Sequence, residues 1–517
     1  MKRYDRLAII MMAFLQIAIH GCARQSPLHK ELKIGLEAEP VTLDPHLNGE
    51  SATWTVLGNM FEGLVGFDRE MRLIPLLAES WENPDDLTWV FHLRKHVRFH
   101  DGATFTADDA VFSLLRAKNH PQSKIRSALT SVCGIAATDP YTVVIKTIDP
   151  TPILLNKLVS MYILTKKYAQ SHDDAFLAEN PSGTGPYKFA AWEKKAGVTL
   201  VKNAGYWGKP PLVERVVFKE MRSRQDRGNA LLSGEVDLIR GVPADAFETI
   251  RRDSRTKLIL GPGLMVSYLG LDLTGKCPAF LKPRVRQAIY AGIDIDGIIK
   301  RRLNNYGKAS GQLVSSSIFG FNPEIIRPPY DTTKAKVLLQ MAGHQKGFAI
   351  TLDVPENAKG VGEDIASDLD KIGIRVVLST APWSVFYNKI TKGQSAFFLV
   401  GWDCTGGDAS DFFDACLHSP KNIFGYGSAN LGRYANRRMD QMIEQSNQTI
   451  NPRQRQVYLQ EIMKFAIDEL PLIPLYTQDT FYGGCKEIIW TPRLDERIYA
   501  AEIKISGAKI VDILRGK

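Results

Sequence analysis

The sequence predicts a fold that mixes helices and strands, of the α/β or α+β class, and three observations support this. Helical and strand patterns alternate along the whole chain. No repeat, low-complexity tract or long Pro/Ser linker separates them. About 495 residues follow an apolar N-terminal segment, and no second apolar stretch long enough to span a membrane occurs among them. A chain of this length can form two or three lobes joined by short crossings.

The N-terminal third contains the clearest element patterns. Lys33 to Leu36 predicts a strand, and Trp54 to Phe61 a short helix. From Trp89 to Phe99 apolar and polar residues alternate strictly, which predicts one long strand or hairpin arm. A turn at Asp101-Gly102 ends it. Thr106 to Asp109 then reads as a capping box that opens a helix.

Later elements follow the same logic. Val285, Ile289 and Ile293 have helical spacing after Pro283, and a second helix follows Asp294. Another helix is predicted from Arg453 to about Glu469. Strands are predicted from Leu472 to Tyr476 and from Tyr482 onward, so that the C-terminus returns to the first lobe.

The N-terminal residues have the pattern of an export signal. Lys2, Arg3 and Arg6 precede an apolar run from Leu7 to Ile19, which is too short for a comfortable membrane span. Ile19-His20-Gly21-Cys22 then resembles a lipobox, in which Cys22 is lipidated, although ordinary cleavage near Ala23 is the alternative. We therefore expect a signal peptide at 1–21, a tether at 22–32 and a location in the periplasm or on the outer face of the cell membrane.

The net charge and the cysteine count limit which partners and disulfides are expected. The net charge is +9 for the whole chain, and no basic run with interleaved aromatic residues stands out, so nucleic acid is not an expected partner. Five cysteines follow Cys22, an odd number that leaves at least one unpaired. In an oxidising compartment Cys404 and Cys416, which flank a Gly/Asp-rich loop, are the predicted disulfide.

Five motifs occur in order along the chain. The longest comprises Leu77-Ala-Glu-Ser-Trp81, Thr88 to Gly102 and Phe105 to Ser113. The others are Gly183 to Phe189, Asn203 to Trp207, Val285 to Ile289 with Asp294, and Leu470 to Tyr476. Together they resemble extracellular solute-binding protein family 5, the dipeptide- and oligopeptide-binding receptors of ABC importers.

The resemblance implies a two-lobed fold of the periplasmic-binding-protein type (class II), with an extra subdomain inserted in the first lobe. Lobe 1 would span 33–265 with the insertion at about 62–182, lobe 2 would span 266–478, and 479–517 would return to lobe 1. The implied function is capture of short peptides, from di- to oligopeptides, in the cleft between the lobes. The peptides would be delivered to the permease and ATPase subunits of an importer, and a monomer without a cofactor is expected.

The resemblance also points to ligand anchors, with two departures. Family members hold the peptide amino group with a carboxylate in the segment corresponding to 401–408, where Thr405 takes the usual position. Asp403 and Asp408 could supply the charge instead, or be turn-forming residues. Dipeptide receptors meet the ligand carboxylate with an Arg at the position of Gly360. The adjacent Lys359 could act as a looser point charge, or be a solvated surface lysine.

Two tryptophans are the aromatic candidates for the cleft. Trp402 and Trp383 could line side-chain pockets, or could be core residues. The loss of both usual charge anchors shifts the expectation from dipeptides toward longer peptides or another solute. A non-peptide load such as a nickel chelate or haem is therefore the alternative, because fold alone does not fix the ligand. An adhesin or holdase chaperone that uses the same cleft, or a secreted hydrolase, is a further possibility from another class.

Catalytic and metal motifs give weak signals. His92, His96 and His100 would cluster on a helix, but on the predicted strand they stand about 13 Å apart, too far for one zinc ion. Gly270 to Cys277 nearly spells a P-loop, but Cys277 replaces the Ser or Thr that would hold magnesium. The chain has neither a nucleophile elbow nor an H-E-x-x-H helix, so it is not expected to be an enzyme.

Overall fold

A computed structural model of the chain describes residues 31–421 and 425–506. The predicted signal peptide, Cys22 and most of the predicted tether lie outside the described residues. The tether was expected to end at 32, but Glu31 and Leu32 already pair with Arg215 and Val216 in a strand. The folded part therefore begins slightly earlier than predicted.

The described residues alternate between strands and helices from end to end. The strands are β1 Glu31–Leu36, β2 Val65–Phe67, β3 Leu73–Pro75, β4 Ala78–Asp85, β5 Thr88–Leu93, β6 Val132–Asp139, β7 Thr142–Thr147, β8 Tyr187–Glu193, β9 Gly197–Lys202, β10 Arg215–Glu220, β11 Leu238–Arg240, β12 Thr256–Gly261, β13 Val266–Leu271, β14 Gly307–Ala309, β15 Phe348–Pro355, β16 Ile374–Ala381, β17 Phe397–Trp402, β18 Leu472–Gln478, β19 Thr480–Cys485, β20 Ile488–Ile489 and β21 Lys504–Ile505. The α-helices are Ser51–Leu57, Ala107–Asn119, Leu154–Leu158, Lys166–Gln170, Asp174–Leu177, Arg224–Ser233, Phe247–Arg252, Pro283–Gly292, Ile295–Arg302, Thr332–Met341, Lys359–Asp370, Trp383–Thr391, Ser410–Phe412, Arg437–Asn447 and Pro452–Glu469, with a π-helical turn at Phe413–Leu417.

Two mixed sheets form the two lobes. Within the described residues the first lobe has seven strands in the order β12-β19-β11-β1-β10-β9-β8, with β1 parallel to both of its neighbours. The second lobe has six strands in the order β14-β18-β13-β17-β15-β16. Because β19 comes from the end of the chain and lies between β11 and β12, the C-terminal part completes the first lobe. The predicted two-lobed α/β fold is confirmed.

A smaller sheet is inserted between the strands of the first lobe. It has the order β4-β5-β7-β6 and is covered by the helix Ala107–Asn119. Thr106 and Asp109 form the predicted capping box, in which the Thr106 N–H donates to Asp109 Oδ2 at 2.9 Å. We call this unit the inserted subdomain.

The long strand predicted from Trp89 to Phe99 is wrong in its second half. β5 ends at Leu93, and His96 has a left-handed backbone with φ of 64° that breaks the extended path. Beyond Leu93 this segment pairs through an isolated antiparallel bridge between Arg98 and Thr104. Other predicted elements are confirmed within a few residues, among them the helices after Pro283 and Asp294 and the helix that ends at Glu469.

Two short crossings join the lobes. The chain passes from β12, which ends at Gly261, to β13, which begins at Val266, and returns from Gln478 to Thr480. At Gly263 the crossings approach so closely that a Cβ atom would lie 1.9 Å from the Gln478 carbonyl oxygen. Only glycine fits there without moving the second crossing.

Gly263→Ala should therefore destabilise the protein at the two crossings between the lobes. We expect the free energy of unfolding to fall by about 1–3 kcal/mol, because the methyl group overpacks backbone that cannot yield. Thermal unfolding measures this. Gly134→Ala is the matched control, since its Cβ would meet Lys146 at an ordinary 3.7 Å. A Gly263→Ala protein that unfolds at the wild-type temperature would contradict the proposed contact.

No helix in the described ranges 31–421 and 425–506 is both long enough and apolar enough to cross a membrane.

Candidate functional site

A cleft of about 700 Å³ lies between the two lobes, beside the crossings. This volume is within the range of small-molecule sites. The first-lobe wall comes from the start of the helix Arg224–Ser233, from the end of β11 and from β19. The second-lobe wall comes from β13, β17 and the helix ends around 302, 358 and 383. The residues that line it include Arg224, Arg240, Gly241, Val242, Met265, Ser267, Arg302, Pro355, Asn357, Gly360, Val361, Trp383, Gly401, Gln478, Asp479, Phe481, Tyr482 and Glu496.

Arg302 brings a guanidinium to Gly360, the position at which the family resemblance implied an arginine. A Cβ atom on Gly360 would lie 2.9 Å from Arg302 Nη1, so the guanidinium rests against the Gly360 backbone. Arg302 ends the helix Ile295–Arg302, and its Nη2 donates to Asp364 at 2.7 Å. This bond orients the group and raises the pKa of Arg302, because the ion pair favours the charged form. The absence of a side chain at Gly360 makes room for it.

Lys359, the predicted substitute, does not line the cleft. It begins the helix Lys359–Asp370, lies mostly in solvent and approaches Glu363 at 3.9 Å. Its neighbours Ala358 and Gly360 are cleft residues, so the chain turns the lysine outward at this point.

Two further arginines occupy the first-lobe wall. Arg240 is mostly buried and forms an ion pair with Glu37, so its charge is already balanced. Arg224 is exposed, and no ion pair or hydrogen bond of its guanidinium occurs within the described part of the chain. The cleft thus contains one paired and one unpaired guanidinium on this side.

Each lobe contributes a carboxylate to this region. Glu496, in the first-lobe part of the C-terminal return, lines the cleft, and Asp403 follows β17 beside the cleft residue Gly401. Partial burial raises the pKa of Glu496, and the charges of Asp403 and Asp495 raise it further while Arg240 lowers it. Asp403 is exposed, but the surrounding protein removes part of the water from its carboxyl group, and this desolvation raises the pKa of Asp403 as well. Each carboxylate lacks a hydrogen-bond partner among the described residues.

Three predicted site residues, Trp402, Asp403 and Thr405, lie at the end of β17 and in the loop that follows it. Asp403 and Thr405 are both exposed, and the Thr405 N–H donates to the Asp403 carbonyl at 2.9 Å in a tight turn. Trp402 is half-buried and packs edge-on against Phe412 with 6.2 Å between ring centroids. Trp402 is thus a packing residue of the second lobe and does not line the cleft.

Trp383 does line the cleft. It begins the helix Trp383–Thr391, is 56% exposed and stacks on Tyr387 with 5.3 Å between ring centroids. A flat, exposed indole at the mouth of a cleft offers contact area that does not demand one ligand shape. Of the two predicted tryptophans, Trp383 is the one among the residues that line the cleft.

Asp408, predicted as a ligand contact or a turn-forming residue, is not among the residues that line the cleft, and its carboxylate is bonded inside the protein. The residue is 4% exposed, and its two carboxylate oxygens accept from Arg455 at 2.5 and 2.8 Å. Its Oδ1 also accepts from the Ser410 N–H and hydroxyl group. A carboxylate with all of these bonds is a structural anchor of the loop, because a ligand ammonium would have to displace a buried guanidinium.

Cys404 and Cys416 are free thiols in the structure, contrary to the predicted disulfide. Cys404 Sγ donates to the Asp408 carbonyl at 3.0 Å, while the Cys416 thiol is directed to Tyr268. Both are buried, and burial raises the pKa of each thiol. Each side chain has its own partner, and no disulfide joins the two.

The histidines and the P-loop-like segment noted in the sequence make contacts within the protein. His100 Nε2 bonds the Gly185 carbonyl at 3.0 Å, and burial lowers its pKa to about 4, whereas His92 is exposed near Glu82. Within 31–421 and 425–506 no three His, Cys, Asp or Glu residues are grouped as metal ligands. In the P-loop-like segment, Lys276 contacts Asp272 at 3.3 Å and the Gly393 carbonyl.

A second cavity of about 700 Å³ lies between the inserted subdomain and the second lobe. Its walls are largely apolar and include Trp81, Trp89 and Phe321. The charged groups that line it already have partners: Asp408 pairs with Arg455, and Arg72 pairs with Asp68 and Glu70. A charged ligand would find no unpaired group there, so the interlobe cleft is the better candidate site.

Sequence reasoning missed Arg302, Arg224 and Glu496. Arg302 lies 58 positions before Gly360, and Glu496 lies 93 positions after Asp403, so no local motif links the members of either pair. The signal that existed for Arg302 was indirect, because a glycine at an expected arginine position leaves room for a side chain from elsewhere. No sequence signal identified Glu496.

Known proteins with a similar sequence cover most of the chain. The glutathione-binding protein GsiB of Pectobacterium atrosepticum is 26% identical over 478 residues, which cover 89% of this chain and 91% of that protein. The dipeptide-binding protein of Escherichia coli K12 is 27% identical over 487 residues, with coverage of 87% and 90%. A periplasmic binding protein DppA from Helicobacter pylori, solved in complex with the peptide STSA, is 25% identical with a TM-score of 0.70 over 92% of this chain and 98% of that one.

The family assignment rests on a match that spans most of the described residues. Residues 72–424 match the sequence model for the middle part of the bacterial extracellular solute-binding proteins of family 5. This range contains the inserted subdomain and most of the second lobe, including Arg302, Trp383 and Asp403. The predicted resemblance is confirmed, and the chain belongs to family 5 of the bacterial extracellular solute-binding proteins.

Proposed function

We propose that this protein is the receptor of an ABC importer that captures short peptides in its interlobe cleft and delivers them to the permease and ATPase subunits. The observation that carries the proposal is the charge arrangement of the cleft. The guanidinium groups of Arg224, Arg240 and Arg302 line this cavity. The Glu496 carboxylate, which has no hydrogen-bond partner among the described residues, lines it too, and the exposed Trp383 indole lies at its side. Such a cavity suits a small zwitterion with variable side chains. Peptide- and glutathione-binding relatives support this ligand class.

Arg302 is the proposed anchor for the ligand carboxylate. Its Nη1 lies against Gly360, its Nη2 is fixed by Asp364, and the cleft is the open side of the group. A guanidinium can pair with a carboxylate through two parallel hydrogen bonds, which a lysine ammonium cannot do. The chain would thus replace the missing arginine at 360 by one from a neighbouring helix.

We propose that the protein is exported and held at the membrane surface. The basic head and short apolar run support a signal peptide, and the Ile19 to Cys22 segment supports a lipid on Cys22. The receptor would act as a monomer in the periplasm or on the outer face of the cell membrane. Membership in a family of solute-binding proteins supports release of the ligand unaltered, without catalysis.

Native mass spectrometry of the purified protein tests the ligand class. We expect bound masses that release a ladder of short peptides on denaturation, and the same masses after prolonged incubation. A single metal-chelate or porphyrin mass would overturn the peptide assignment and leave the receptor fold with another load. Progressive hydrolysis of the peptides, abolished by one side-chain change, would overturn the claim that the protein is not an enzyme.

A further inference from the structure

The cavity between the inserted subdomain and the second lobe has no role in the proposed capture of peptides. Its volume of about 700 Å³ equals that of the interlobe cleft, and among the described residues no side chain lines both. Exposed lining residues such as Arg72, Ser316 and Gln456 give a ligand access from solvent. Protein interiors contain few voids larger than a water molecule, so a cavity of this size calls for an occupant.

Aromatic rings from both bodies line this cavity. Trp81 and Trp89 come from β4 and β5 of the inserted subdomain, and Phe319 and Phe321 come from the second-lobe segment that follows β14. Trp89 is buried, while the other three rings are half-buried. Flat rings offer a large contact area to another flat ring, in stacked or edge-on geometry. The walls therefore suit an aromatic ligand.

Hydrogen bonds hold the cavity walls in place. In the second lobe, the Phe319 N–H donates to the Gly407 carbonyl at 3.2 Å, and the Ala409 N–H donates to the Phe319 carbonyl at 2.9 Å. The two bodies are joined beside the cavity, where Asn156 Nδ2 of the inserted subdomain donates to the Gly406 carbonyl at 2.8 Å. The site is thus largely preformed, which lowers the cost of ordering it around a ligand.

The charge distribution favours a neutral ligand. The Asp408 and Arg455 side chains in the wall are bonded to each other, and Arg72 pairs with two acidic neighbours. The lining groups that remain are neutral: the Ser316 and Gln456 side chains have no hydrogen-bond partner within 31–421 and 425–506. A charged ligand would lose hydration here without gaining an unpaired counter-charge. A neutral one would lose less and could bond the free hydroxyl and amide groups.

We propose that this cavity is a second binding site, which takes a neutral, flat aromatic molecule that carries a hydrogen-bonding group. The site is separate from the peptide cleft and goes beyond the proposed function. A molecule bound there contacts the inserted subdomain and the second lobe at once. It therefore gains its full set of contacts only while the two bodies are adjacent, and its binding favours that arrangement.

Two fluorescent probes with the same rings test the ligand class. N-phenyl-naphthylamine is neutral, and anilinonaphthalene sulfonate adds one negative charge to the same pair of ring systems. Both emit strongly only when they are shielded from water. For the wild type we expect saturable binding of the neutral probe at one site. The sulfonate should bind at least about tenfold more weakly, because no unpaired cation lines the cavity among the described residues.

Substitutions that fill the cavity test its location. Gln456→Trp and Ser316→Trp each place a large side chain at an exposed lining position, so the fold should tolerate them. Each should weaken binding of the neutral probe by about tenfold or more, because the indole takes up the space of the ligand. Val457→Trp is the matched control. Val457 is the next residue on the same helix and is 52% exposed, but it does not line the cavity, so affinity should stay at the wild-type value.

Three results would overturn the second site. They are no saturable binding of the neutral probe by the wild type, wild-type affinity in both Gln456→Trp and Ser316→Trp, and binding of the sulfonate as tight as that of the neutral probe. None of them bears on peptide capture, which native mass spectrometry tests separately. A protein that binds the neutral probe as expected but releases no peptide would overturn the proposed function and leave this site in place.

Discussion

Replacing Asp408 with alanine should destabilise the second lobe severely while leaving peptide affinity unchanged. Asp408 and Arg455 are both buried and share two hydrogen bonds, and removal of one partner leaves an uncompensated buried charge. We expect the free energy of unfolding to fall by about 3–5 kcal/mol. Denaturant unfolding measures the loss, and calorimetric titration at low temperature, where the variant is still folded, measures the affinity.

A second substitution separates charge from packing in this pair. Asp408→Asn keeps the shape and can still accept from Arg455, so its loss of stability should be smaller than that of Asp408→Ala. The combination Asp408→Leu with Arg455→Met removes both charges and should recover much of the stability. A variant with normal stability and weakened peptide binding would instead place Asp408 in the ligand site, as the sequence had suggested.

Arg302→Gln should weaken peptide binding by about tenfold to one hundredfold. The substitution removes a hydrogen-bonded charge partner for the ligand carboxylate, an interaction of about 1.5–3 kcal/mol. The effect should be confined to peptides with a free carboxyl terminus, because a C-terminal amide does not offer the negative charge. Calorimetric titration of the free and amidated forms of one peptide found by native mass spectrometry measures both quantities.

Arg301→Gln is the control for this experiment. Arg301 precedes Arg302 on the same helix and donates to the same Asp364, through Nε at 2.9 Å, but it does not line the cleft. Both substitutions should lower stability slightly and equally. Only Arg302→Gln should lower affinity. Equal affinities of the two variants for the free peptide would remove Arg302 from the ligand site.

Local sequence patterns predicted the elements, because those signals depend on neighbouring residues. The capping box at Thr106 and the helix starts at Pro283 and Asp294 are examples. The strand predicted beyond Leu93 failed for a local reason too, since alternation of apolar residues does not reveal the left-handed backbone at His96. The C-terminal return was predicted from strands after Leu470, and β19 does lie within the first-lobe sheet.

The proposed ligand anchors were harder to predict, because they depend on which distant segments meet. Asp408 and Asp403 look equivalent in the sequence, and only the position of Arg455 shows that the first is a buried structural anchor. Lys359 is adjacent to the vacant arginine position along the chain, but Arg302 is adjacent to it in space. Glu496 lines the cleft from a turn in which its N–H donates to the carbonyl of the buried Arg493 at 3.2 Å, and no spacing rule describes that arrangement.

Small-angle X-ray scattering with and without peptide tests most directly whether the two lobes close on a captured ligand. We predict that the radius of gyration of the protein, stripped of bound ligand, falls when an equimolar pool of Ala-Xaa-Ala tripeptides is added. A scattering curve that stays the same with this pool, and with every ligand released from the native protein, would contradict closure on a captured ligand.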